Sequence, residues 1–196
     1  MVNDYSSILA NIRKRVTLSS EEEERLVSII KTSRIKKRQF VIQPGFPCIH
    51  RNYVVKGAFR AFFVDDDGKE HTLQIAVEDW FFSDFYSYIT QTPATIFVEA
   101  LEDSVIFQLE YKDIEKLCSE IHNLSEYFRL TTERAFAYSR MRVQSNLSKS
   151  AEQRYKDYLE KYPHIAQRVP QYVLASYLGI SAEFLSKIRS GQVKKS

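Results

Sequence analysis

The 196-residue chain has two cysteines and four histidines, and each scarcity removes a class of protein. Cys48 and Cys118 stand far apart with no second cysteine beside either, which argues against a disulfide framework or a zinc knuckle and leaves two thiols in or near a core. His50, His71, His122 and His164 are isolated and no His-x-His occurs, so the ligand spacing of a jelly-roll metalloenzyme is missing and no metal ligand is assigned. Neither a Ser-His-Asp, a Cys-His nor a paired-carboxylate arrangement is visible, and the expectation is a protein that is not an enzyme. The chain has no run of about eighteen apolar residues, so no membrane span is expected. Its opening, M-V-N-D-Y-S-S-I-L-A, lacks the basic start and apolar core of a secretory signal, which predicts a cytoplasmic location.

Charge is present but unevenly spread. Residues 1–128 carry 15 Lys and Arg against 20 Asp and Glu, a balance of −5, whereas residues 129–196 carry 13 against 5, a balance of +8; together they give the overall +3. A basic last third on an acidic body suits phosphate binding, because release of condensed counterions supplies most non-specific affinity for DNA.

The basic third contains the most informative stretch, V-P-Q-Y-V-L-A-S-Y-L-G-I-S-A-E-F-L-S-K-I-R at Val169–Arg189. Leu174, Ala175 and Leu178 form one apolar helical face, Gly179 breaks it, and Leu185 and Ile188 form a second. Two helices crossing steeply need a small residue at their contact, here Ala175, and a residue free to take positive φ in the turn, here Gly179. Ile180 plugs the corner, Ser181 caps the following helix and Pro170 suits the first turn of the preceding one. The pattern predicts a helix-turn-helix whose second helix enters a DNA major groove with Ser181, Ala182, Glu183, Ser186, Lys187 and Ser190 facing outward. Glu183 can accept from cytosine N4, Lys187 can donate to guanine or phosphate, and Arg189, Lys194 and Lys195 can meet backbone phosphates.

Upstream, residues 6–15 and 19–33 read as two short helices, the second opened by Ser19 or Ser20 before the Glu21–Glu24 run. Short strands are expected at Ile35–Ile42, Ile49–Val55, Gly57–Val64, His71–Val77, Ile96–Ala100 and Ser104–Leu109, with a hairpin loop at Asp65-Asp66-Asp67-Gly68. Such spacing suggests an all-β sandwich or jelly roll. One short helix is expected within the aromatic stretch between Glu78 and Pro93. Helical periodicity returns at Tyr111–Leu117 and in a long helix Ile121–Ser145, with a stripe at Leu124, Phe128, Thr131, Ala135, Tyr138 and Met141–Arg142. That stripe is longer than a small domain needs, so a dimer seam is predicted. A hinge at Asn146–Ser150 and a helix Ala151–Tyr162 ending at Pro163 complete the reading.

This arrangement, with V-V-K-G-A-F-R (54–60), D-G-K-E (67–70), A-L-E-D-S (100–104), A-E-Q-R-Y (151–155), R-V-P (168–170) and A-S-Y-L-G-I-S (175–181), resembles the Crp/Fnr family of bacterial transcription regulators. The resemblance implies an α+β protein: a cyclic nucleotide-binding-like β jelly roll at residues 1–120, a dimerisation helix at 121–145, and a helix-turn-helix domain at 146–196 with a reduced wing. It implies double-stranded DNA and a second copy of the chain as partners, with RNA polymerase as a further candidate.

In the family, a phosphate cassette holds a cyclic nucleotide through a Phe-Gly-Glu turn, backbone amides of a short helix and an arginine. The matching turn here is Phe82-Ser83-Asp84, and Ala94 stands where the arginine belongs. Removing the one cation facing a buried phosphate costs several kcal/mol, on the order of the penalty for an unpaired buried charge. Cyclic AMP and cyclic GMP are therefore not expected as ligands, and no cofactor is assigned. Trp80, Phe82, Ser83, Asp84, Tyr88, Ala94 and Thr95 outline either an apolar cavity or a filled core. The two cysteines cannot hold an iron–sulfur cluster of four thiolates. In the recognition helix S-A-E-F-L-S-K keeps the family's glutamate as Glu183 and has Lys187 for the later arginine, so an unusual operator is implied. An interaction module that has lost DNA binding is the alternative, favoured by Phe184 and the short wing.

Overall fold

The computed structural model describes residues 4–191; Lys194 and Lys195, expected to meet phosphates, lie outside them. Eight strands form two antiparallel sheets that face each other. The first runs β1 (Lys31–Ile35), β8 (Ser104–Glu110), β3 (His50–Lys56), β6 (Phe81–Phe82), and the second β2 (Phe40–Ile42), β7 (Phe97–Ala100), β4 (Phe59–Val64), β5 (Glu70–Ala76). Alternation along β3 assigns its two faces: Val54 joins Ile42, Phe59, Phe82, Val98 and Ile106 between the sheets, while Tyr53 joins the layer of helices on the outside. Gly57, at the β3–β4 turn, has φ +111°, and a Cβ there would lie 2.0 Å from Ser104 Oγ. Only glycine meets both demands.

The outer layer packs α1 (Ser6–Arg13), α2 (Ser20–Ser28), α4 (Tyr111–Glu120) and the start of α5 (His122–Ser148) on Tyr53, Phe107 and Leu109. The glutamate run works at the start of α2: Glu22 accepts from the Ser19 amide at 2.7 Å while Ser19 Oγ accepts from the Glu22 amide at 3.2 Å.

Several boundaries differ from the sequence reading. The helix expected at 19–33 ends at Ser28, because Lys31–Ile35 pairs in register with Ser104–Gln108. A strand over 35–42 does not form; the chain turns at Lys36–Gln39 with Arg38 at φ 67°, so β1 and β2 belong to different sheets. The two-residue strand β6 carries too little pattern to be seen in advance. Helix α5 continues to Ser148, so the break is at Lys149–Ser150 rather than from Asn146 onward. Pro163 does not simply end α6 (Ala151–Lys161); it opens α7 (Pro163–Arg168) as a first-turn proline.

The stripe expected to form a dimer seam also divides. Leu124 and Phe128 are buried in the chain's own core, and Arg142 is half-buried with its guanidinium donating to the Leu73 and Thr72 carbonyls. Of the same stripe Ala135, Tyr138 (47%) and Met141 (59%) are exposed, and α5 also leaves Phe136 (67%), Val143 (51%) and Leu147 (85%) exposed on one adjoining face.

The C-terminal helices α6, α7, α8 (Gln171–Leu178) and α9 (Ala182–Arg189) pack on the roll through a third core, in which Ala58, Ile75, Val77 and Leu101 meet Tyr158, Ile165, Val173 and Leu174. Among the described residues no strand follows Glu110, so no β wing accompanies these helices.

Candidate nucleic-acid interface and sensor pocket

Local rules build the α8–α9 pair. Gly179 ends α8 at φ 70°, ψ 35°, and its amide donates to carbonyls of the last turn. The Ile180 amide donates to the Ala175 carbonyl at 3.0 Å, which tightens the corner. Ser181 Oγ then accepts from the Phe184 amide at 3.1 Å and starts α9. Ala175 and Leu178 from one helix and the fully buried Leu185 from the other close the contact, and Arg154 Nε holds the Leu178 carbonyl from α6 at 3.1 Å.

Of the residues expected to face outward, Glu183, Ser186, Lys187, Arg189 and Ser190 are exposed on α9, and Ser181 is exposed while its hydroxyl caps the helix. Ser190 Oγ donates to the Lys187 carbonyl at 3.1 Å and so serves the helix end. Ala182 is a correction. It is half-buried against the third core, and its carbonyl accepts from Gln171 Nε2 at 3.2 Å, so its methyl belongs to the helix contact. The Glu183 carboxyl is held below its usual range by its own backbone amide and by Ser181, with Lys187 adding to the effect.

The residues expected to outline a sensor pocket lie at and around one turn. Ser83, Asp84, Ala94 and Thr95 meet at the start of α3 (Phe85–Thr90), beside Phe82. Asp84 is buried; one carboxylate oxygen accepts from the Ser87 amide at 3.1 Å and the other from the Thr95 amide at 2.8 Å. Ser83 Oγ donates to the His50 carbonyl at 2.9 Å, and Ser87 Oγ accepts from the Cys48 amide at 2.9 Å and donates to the Thr92 carbonyl. Phe82 stacks on Phe59 with ring centroids 4.6 Å apart, and Ala94 is buried in the same core. Phe59, Phe82, Ala94, Val98 and Ile106 thus pack against one another between the sheets.

Trp80 packs against the same inter-sheet core, and the Tyr88 amide donates to the Asp84 carbonyl at 2.8 Å, but both rings turn outward. The Trp80 ring meets Tyr162 of the C-terminal helices edge-on at 5.6 Å, and Tyr88 packs on Tyr111 at 5.1 Å outside the roll. Sequence reading also passed over the groups that tie the C-terminal helices to the roll. Arg168 bonds Glu78 at 2.8 and 2.9 Å and pairs with Glu102; Ser176 Oγ accepts from the Thr72 amide at 2.8 Å and donates to the Glu70 carbonyl at 2.9 Å. Opposite charges ninety residues apart leave no local signal.

Residues 32–120, from the first strand of the roll to the end of α4, match the family model of the cyclic nucleotide-binding domain. Three solved structures share the fold over most of the chain. FixK2 from Bradyrhizobium japonicum is 16% identical, with 83% of this chain and 84% of that one covered at a TM-score of 0.73. The c-di-GMP-responsive global regulator CLP of Xanthomonas campestris is 15% identical, with 89% and 91% covered and a TM-score of 0.73. A protein described as a transcriptional regulator of the Crp/Fnr family from Eubacterium rectale is 18% identical, with 91% and 88% covered and a TM-score of 0.69. A search of curated proteins finds no match.

Proposed function

We propose that the chain is a homodimeric, DNA-binding transcription regulator of the Crp/Fnr type, with a sensor at residues 1–120, a dimerisation helix at 121–145 and a DNA-binding unit at 146–196. The observation that carries this reading is α9: Leu185 anchors it while Glu183, Ser186, Lys187 and Ser190 stand exposed on the opposite side. A helix held by one apolar edge with charged and hydroxyl groups outward suits a major groove. The exposed Phe136, Val143 and Leu147 suit a second α5, which would set two α9 helices about one DNA turn apart on an inverted repeat.

The sensor does not take cyclic AMP or cyclic GMP. Where a phosphate would meet the first amides of α3, the carboxylate of Asp84 already accepts from Ser87 and Thr95, and Ala94 offers no cation. A second anion at that spot would face Asp84 across a low-dielectric core, where like charges repel strongly. Calorimetry with either nucleotide is expected to show no binding, and micromolar affinity for one of them would refute this part.

The test of the whole reading is a mobility-shift series with genomic fragments over a range of salt. Retarded fragments whose affinity falls steeply with salt are expected. A folded protein that retards none at low salt would leave the interaction-module reading in its place.

A further inference from the structure

Outside the packed roll, a groove of about 730 Å³ opens between α4 and the first half of α5, with Ile114, Cys118, Phe128, Thr132 and Phe136 on its walls and Arg51 of β3 among its lining residues. Arg51 lies on the helix-facing side of its sheet, two residues from Tyr53. Its guanidinium carbon sits 4.6 Å from the ring centre of Phe128 and 5.5 Å from those of Phe85 and Tyr88. An aromatic enclosure of this kind attracts a cation, but its ring faces accept no N–H in the way a carboxylate does, and the Tyr88 hydroxyl takes no bond from Arg51.

Among the described residues Arg51 makes no side-chain hydrogen bond and no ion pair, and its Nε is buried without a partner; the buried hydroxyl of Tyr88 is likewise unpartnered. The contrast within the molecule is direct. Arg60, also buried, bonds Glu99 at 2.7 Å and Glu70 at 2.5 Å, and Arg13, Arg25, Arg129 and Arg168 each hold a carboxylate. Burial pushes the Arg51 pKa down, and the nearby Tyr88, Cys118, Tyr127 and the exposed Glu115 only partly offset it; a buried guanidinium with no bonded acceptor is costly unless something else brings one.

We infer that the groove is a binding site for a small monocarboxylate with an apolar body, its carboxylate on the Arg51 fork and its body along Ile114, Phe128 and Phe136. The charges around the groove select this class. Arg129, the other arginine there, is already held by Glu126 and Glu133, so one free cation remains for one anionic group. Glu115 is exposed on α4 and does not pair with Arg51; with Glu133 it gives the rim a negative character that disfavours polyanions such as nucleotides. A bidentate carboxylate satisfies the planar fork, and the apolar body replaces water on the rings.

The site reaches the dimerisation face, because Thr132 and Phe136 lie on the same side of α5 as Val143 and Leu147. A regulatory consequence of occupancy rests on the function proposed above; binding itself does not.

The test uses the full chain and calorimetry with decanoate and with 3-phenylpropionate, each below its aggregation limit, and decanol as the uncharged control. Saturable binding of one carboxylate per chain is expected, with decanol at least about tenfold weaker, the equivalent of one charge-assisted hydrogen bond. Arg51→Gln should weaken carboxylate binding by at least about tenfold, and Glu115→Gln, at an exposed position that leaves the core untouched, should strengthen it. No binding of either carboxylate, equal binding of decanol, or unchanged affinity in Arg51→Gln with an unchanged melting temperature would overturn the site. So would binding seen only in Glu115→Gln, since Glu115 would then be the natural partner of Arg51. Loss of carboxylate binding with DNA retardation intact rejects this site and not the regulator; the converse rejects the regulator and not the site.

Discussion

Lys187 and Glu183 stand one turn apart on the exposed side of α9, so the two side chains can reach neighbouring base edges. Lys187→Ala is expected to cost about 1–3 kcal/mol on the cognate site and to relax sequence preference, because a base contact is lost and not a phosphate contact alone. Competition binding with cognate and scrambled duplexes measures both; an unaltered preference would place another element in the groove. At this scale much was legible. Gly179, Ser181, Ala175 and Leu185 do what their residue types demand, since a left-handed turn, a cap and a close helix contact are decided within a few residues. Ala182 was misread because helical periodicity cannot tell whether a small side chain at the first turn faces solvent or the preceding helix. Asp84 shows the opposite difficulty. Its shortened side chain in Phe82-Ser83-Asp84 was visible, but that it caps α3 and holds the Thr95 amide depends on a loop eleven residues away.

Helix α5 puts the same limits at the scale of an element. Its first turns are fixed by Leu124, Tyr127 and Phe128, which sit in the outer core of the roll; beyond Thr131 its ties to the rest of the chain run through Tyr138, whose ring lies 4.2 Å from the Lys161 ammonium, and Arg142, which donates to the Leu73 and Thr72 carbonyls. Phe136, Val143 and Leu147 are therefore apolar surface in water that a second chain can remove, each buried large side chain being worth about 1.5–3 kcal/mol. The doubly substituted Phe136→Asp, Leu147→Asp chain is expected to sediment as a monomer at micromolar concentration where the natural chain is a dimer, with its helix content unchanged. A dimer that survives both charges would move the interface elsewhere. The expected stripe along this helix is buried at Leu124 and Phe128 and exposed at Ala135, Tyr138 and Met141, while Phe136, Val143 and Leu147 were passed over because a helix with apolar residues on two sides has no single periodic face. Strands failed for a related reason: β1 exists only through its register with β8, seventy residues on, and residues 31–33 carry no alternation strong enough to separate them from the helix before.

In the whole molecule, the C-terminal helices are held to the roll by an apolar core with polar ties around it, and the tie most open to a test is Glu78 with Arg168. Two bonds from Arg168 and one from the Gly57 amide at 2.7 Å outweigh the desolvation of Glu78 and bring its pKa from 4.5 down to about 2. A carboxylate whose folded pKa is depressed contributes stability that is complete above its unfolded value and is lost as pH falls through the folded one. The tie is thus whole above pH 4.5 and fails between there and about pH 2. Because both side chains are about a third exposed, its worth is screened to about 1 kcal/mol. The chain's single tryptophan, Trp80, lies against Tyr162 at this same junction, so its fluorescence reports whether the helices stay docked. Glu78→Gln is the discriminating variant: its amide oxygen can still accept from Gly57, but it no longer carries the charge that holds Arg168. The natural chain is expected to show a fluorescence transition between about pH 4.5 and 2 that exceeds the one in Glu78→Gln, while the variant is slightly looser already at pH 7. Carboxylates elsewhere, such as Asp157 and Glu126, also titrate low but lie in other salt bridges, and they contribute equally to both proteins. Superimposable titration curves would mean that the apolar core alone holds the C-terminal helices against the roll and that the Glu78–Arg168 pair is decoration on its rim.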